Sequence, residues 1–125
     1  MNYTIPENIH PEAKTYMEKV VKYLNDNNQL NEADYGALNM LARSYSLYIK
    51  AIEEINQNGL MATGSRGNAI PNPAIKIAND AQIQAVKIMQ SFFLTAKDRK
   101  KMNEDSVEDE SSPIMQFIKE SKEYR

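Results

Sequence analysis

His10 is the only histidine in the chain and lies beside Pro11 at an expected helix start, where it reads as an exposed helix-end residue rather than a catalytic base. No histidine-based pair for acid–base work can be assembled within one chain. Cysteine is absent, which excludes disulfides, thiol nucleophiles and cysteine-built zinc sites. Glu53 and Glu54 are neighbours on a helix and point in different directions, and the acidic run from Glu104 to Glu110 falls in an expected connector. Neither forms a metal cage, so no metal or cofactor is expected. The glycines of Gly64-Ser65-Arg66-Gly67-Asn68 lack the GxxxxGK[ST] spacing of a phosphate-cradling loop, and no GxSxG elbow or GxGxxG fingerprint occurs. The chain is therefore expected not to be an enzyme.

Binding chemistry is better represented. Lys97, Arg99, Lys100 and Lys101 cluster within five residues, and clustered cations displace condensed counterions from a phosphate backbone. The same charges equally suit a solvated helix face, which the acidic residues that follow could mask. Arg66, in its glycine loop, is a second candidate for phosphate or groove contact. A helix-turn-helix reading places Leu30 to Asp34 in the turn and Asn39, Arg43 and Ser46 on a face that could approach bases; a plain αα-hairpin accounts for the same pattern.

The elements that would carry these residues follow from apolar spacing. Ala13, Met17, Val20, Val21 and Leu24 recur at helical steps, predicting a first helix from Pro11 to about Asn27. Leu38, Leu41, Ala42, Tyr45, Tyr48, Ile49, Ile52 and Ile55 define a long central helix that runs to about Asn58 and stops at Gly59. Asn72-Pro73 opens another helix, whose seam of Ala74, Ala78, Ala81, Ala85, Ile88 and Phe92 calls for close helix approach at its alanine end. Between them, residues 60–70 form either one short β-hairpin or an open loop. Thr95, with Asp98 three residues on, resembles a cap that starts a brief helix.

The 125 residues, 42% apolar and 26% charged, suit one small all-α domain. Residues 1–102 are expected to form the helical domain, 103–112 an acidic linker, and 113–125 a short amphipathic tail helix with Ile114, Phe117 and Ile118 on one face. That face is a candidate docking surface for a partner. The net charge of -2 conceals basic residues between Lys76 and Lys101 followed by five acids before Ser112. Neither a membrane-crossing run nor a signal-peptide pattern is present, so a cytoplasmic location is expected. Tyr16, Tyr23, Tyr35, Tyr45 and Tyr48 suit the core edge or a subunit interface, and surplus apolar surface on the central helix favours self-association.

The order of marks resembles phage terminase small subunits of the P-twenty-seven type. The matching residues are Asp34 at the start of the central helix, Tyr45 with Tyr48, Gly59-Leu60, Gly67-Asn68, Asn72-Pro73, and the closing element Leu94-Thr95-Ala96-Lys97-Asp98-Arg99-Lys100-Lys101-Met102. The likeness covers about residues 12–102. Phe93 stands where those proteins usually have glycine, and Ala96 where they usually have proline. The resemblance implies a nonenzymatic subunit that recognises double-stranded viral DNA at the packaging start. It further implies assembly as a homo-oligomer, with rings common among such proteins, and delivery of the DNA to a large subunit holding the ATPase and nuclease. DNA contacts are then expected from Arg43, Arg66, Lys97, Arg99, Lys100 and Lys101. The alternative is a non-catalytic helical module that binds protein without touching DNA.

Overall fold

Pro11 presets the first backbone angle of helix α1 (Pro11–Asp26), and His10 caps it: the His10 Nδ1 accepts the Glu12 N–H at 3.1 Å. These and the following details come from a computed structural model that describes residues 3–100. Ala13, Met17, Val20 and Leu24 form the buried stripe of α1, and Val21 sits half-buried at its edge. The helix ends in a Schellman turn: Gln29 N–H donates to the Leu24 carbonyl at 2.8 Å and Asn28 N–H to that of Asn25 at 3.1 Å. Asn28 takes the required left-handed conformation, φ 55°, which asparagine tolerates better than most residues.

A 3₁₀ turn (Glu32–Asp34) leads directly into helix α2 (Tyr35–Asn58). The cap here differs from the aspartate start read from sequence. Asp34 is already in a helical conformation and makes no side-chain cap bond, whereas Asn31 is extended and its Oδ1 accepts the Ala33 N–H at 3.0 Å. The extra turn moves the capping position three residues upstream, to the last extended residue. Leu38, Leu41, Ala42 and Ile49 are buried along α2; Tyr45, Tyr48, Ile52 and Ile55 are half-buried around them.

α1 packs on α2, with Tyr16 stacked on Tyr45 at 4.6 Å between ring centroids. The N-terminal segment then tracks one stripe of α2. Tyr3 Oη donates to Asn39 Oδ1 at 2.7 Å, His10 N–H donates to Ser46 Oγ at 2.8 Å, and His10 Nε2 meets Glu53 Oε1 at 2.6 Å. Asn39, Ser46 and Glu53 are spaced by seven, so they share one side of the helix. His10 is thus half-buried and clasped to α2, not the exposed helix-end residue expected.

Gly59 stops α2 at φ 84°, ψ -178°, a region essentially restricted to glycine, with its N–H on the Ile55 carbonyl at 2.7 Å. Residues 60–70 resolve as a hairpin, β1 (Met61–Thr63) against β2 (Ala69–Pro71), antiparallel, with Ala62 opposite Ile70. Gly67 N–H closes the turn onto the Gly64 carbonyl at 3.0 Å, and Gly64 N–H onto that of Asn68 at 2.7 Å. Helix α3 (Pro73–Ser91) follows, opened by Asn72, whose Oδ1 accepts the Ala74 N–H at 3.0 Å. All four seam alanines, Ala74, Ala78, Ala81 and Ala85, are buried. Ala51 of α2 clusters with Ala74 and Ala78, bordered by Tyr48, Ile52 and Ile55.

The chain divides into two compact units, Met1–Ile88 and Met89–Arg125. In the second, α3 ends in another Schellman turn: Leu94 N–H donates to the Met89 carbonyl at 2.9 Å and Phe93 N–H to that of Gln90 at 3.1 Å. Helical residues 96–100 follow. Lys101, the 103–112 connector and the 113–125 tail with Ile114, Phe117 and Ile118 lie outside the described residues.

Candidate nucleic-acid interface

Arg66 sits at the tip of the hairpin, exposed, with no ion pair or hydrogen bond of its side chain among the described residues. A two-stranded ribbon is marginal alone. Its base is fixed by Asn72, which is 5% exposed: Nδ2 donates to the Gly59 carbonyl at 2.8 Å, and its N–H to the Leu60 carbonyl at 2.8 Å. The turn therefore projects the arginine from an anchored stem.

Lys97, Arg99 and Lys100 lie together on helical residues 96–100. Thr95 caps that turn, its Oγ1 accepting the Asp98 N–H at 3.2 Å while its hydroxyl donates to Asp98 Oδ2 at 2.6 Å. The shorter aspartate thus completes the cap by bonding the hydroxyl rather than reaching the Thr95 backbone. Asp98 still counts as a negative charge beside the three cations, leaving residues 95–100 at a formal +2. Arg99 Nη1 donates to the Leu94 carbonyl at 2.9 Å, so part of its guanidinium braces the turn while the rest stays exposed. Lys97 and Lys100 are exposed and carry no ion pair among the described residues.

Arg43 is exposed midway along α2, about 24 Å before Gly59 at 1.5 Å per residue. It shares a shallow cleft with Asn8, Ile9, Ser46, Leu47 and Lys50. Of the other two residues of the helix-turn-helix reading, Ser46 is buried and accepts the His10 N–H, whereas Asn39 stays exposed with its Oδ1 accepting from Tyr3 Oη. Lys50 was not singled out by sequence; its distance of seven residues from Arg43, two helical turns on the same side, is the signal that could have found it. Lys76 is paired with Asp80 at 3.1 Å and contributes little free charge.

Apolar surface is also exposed: Leu60 and Met61 at the hairpin base, and Ile83 with Val86 along an α3 groove that Asn79, Gln82 and Lys87 also line. No described helix is long and apolar enough to cross a membrane.

A family model described as phage terminase, small subunit, matches residues 13–109, well over half of the chain. No curated protein and no solved structure matches it.

Proposed function

We propose that this chain, which belongs to the phage terminase small-subunit family, is the DNA-recognition and adaptor subunit of a genome-packaging machine. It holds double-stranded viral DNA at the packaging start, assembles as a homo-oligomer, and presents the DNA to a large subunit that supplies ATP hydrolysis and cleavage. It performs no bond chemistry itself and acts in the host cytoplasm. The family match carries this reading. The geometry supports it by leaving Arg66, Lys97 and Lys100 exposed and unneutralised on braced turns, as phosphate contacts require. Arg43, and Lys101 beyond the described residues, complete the proposed DNA-contacting set with Arg99.

Ile114, Phe117 and Ile118 are proposed to dock the large subunit. The exposed Leu60, Met61, Ile83 and Val86 favour a second reading, a protein-binding module without DNA contact. Mobility-shift titrations with packaging-start DNA, unrelated DNA and added large subunit separate the two. The first reading expects a DNA complex that the large subunit joins; a ternary complex that forms without any chain–DNA complex supports the second.

A further inference from the structure

The two Schellman turns differ in one respect. At the end of α1 the left-handed position belongs to Asn28, a residue type suited to it; at the end of α3 it belongs to Phe93, at φ 56°. A bulky side chain is disfavoured in that conformation, and this one is also 42% exposed, with no ring partner among the described residues. An outlier that leaves apolar surface in water is where a binding function is sought.

The surroundings indicate what binds. Arg99 is tied to the carbonyl of Leu94, the residue next to Phe93, and Lys97 and Lys100 stand exposed on the turn that follows. Asp98, bonded to the Thr95 hydroxyl, offsets one of these three cations, so residues 93–100 keep a formal net charge of +2. A part-exposed aromatic followed within seven residues by three cations matches the apolar wedges that enter base steps while neighbouring cations hold phosphates. We infer that Phe93 inserts between base pairs of duplex DNA, with Arg99, Lys97 and Lys100 on the adjoining phosphates. This rests on the DNA-binding reading above and adds to it a DNA-deforming contact.

The test uses the full chain and a duplex of about 30 base pairs carrying 2-aminopurine at pyrimidine–purine steps, which kink most easily. Wild-type protein should raise the 2-aminopurine fluorescence by unstacking it. Phe93→Gly and Phe93→Asn, both compatible with the left-handed turn, should lose that rise and bind about tenfold more weakly. Phe93→Leu, still an apolar wedge, should keep most of it. Lys97→Ala plus Lys100→Ala should weaken binding yet leave the fluorescence rise in the complex that forms. If wild type ignores duplex DNA at low salt, both the DNA reading and the wedge fall. If it binds, and Phe93→Gly binds and unstacks equally well, the wedge alone falls. Loss of large-subunit binding by Phe93→Asn with DNA behaviour unchanged would likewise overturn it, marking the ring as a protein anchor.

Discussion

Asn72 Nδ2 donates to the Gly59 carbonyl oxygen at 2.8 Å across thirteen residues, joining the end of α2 to the start of α3. The same side chain caps α3 through Ala74, and the residue is buried. One amide thus closes the loop from which the hairpin projects.

Asn72→Ala should cost about 1–2 kcal/mol, combining a lost cap with a part-buried bond to the Gly59 carbonyl. Asn72→Asp retains the acceptor for Ala74 but not the donor for Gly59, and should fall between. Urea denaturation measures both; an Asn72→Ala midpoint equal to wild type would remove the role assigned to this bond.

Of the three positive-φ helix stops, Gly59 and Phe93 should respond differently to substitution. Gly59→Ala places a side chain in a region only glycine favours and should cost about 1–3 kcal/mol. Phe93→Gly relieves about 1–2 kcal/mol of left-handed strain while losing some burial and about 0.5–1 kcal/mol of chain entropy. Its net change should stay within about 1 kcal/mol. A larger loss in thermal denaturation would show that the ring holds the fold.

His10→Ala removes the α1 cap and the bond to Glu53 together, and should destabilise by about 1–2 kcal/mol. Glu53→Gln keeps an acceptor for the ring and should cost less. Equal losses in calorimetry would contradict this ordering.

Burial raises the Tyr3 phenol above the ordinary tyrosine value near 10.0. The folded state therefore keeps this proton to higher pH than the unfolded chain does. The contribution is whole below about pH 10 and is lost as pH rises through the folded value. Tyr3→Phe should flatten the alkaline limb of stability against pH; an unchanged limb would show that Tyr3 does not set it.

Helix stripes were legible because burial repeats: Ala13, Met17, Val20 and Leu24 on α1, and the seam alanines on α3, mark their faces. Gly59, Asn72-Pro73 and the Thr95–Asp98 pair were legible because each residue type has a local reason to stop or start a helix. The path of Tyr3 to His10 was not, since it lacks periodicity and is fixed by bonds to Asn39, Ser46 and Glu53 more than thirty positions away. That hidden path is why Ser46, one of the residues read as facing bases, proved buried. Three-residue strands carry too little alternation to separate hairpin from loop, and nothing in the chemistry of phenylalanine announces a left-handed residue at Phe93.

The most direct test of the DNA-binding account is the association constant of the full chain with duplex viral DNA, followed as salt is raised. A straight decline of log K against log salt is predicted, with Lys97→Ala plus Lys100→Ala shallower by about two, roughly one for each phosphate no longer neutralised. Failure to bind viral or random duplex even at low salt, or an unaltered slope in the double variant, would contradict the account.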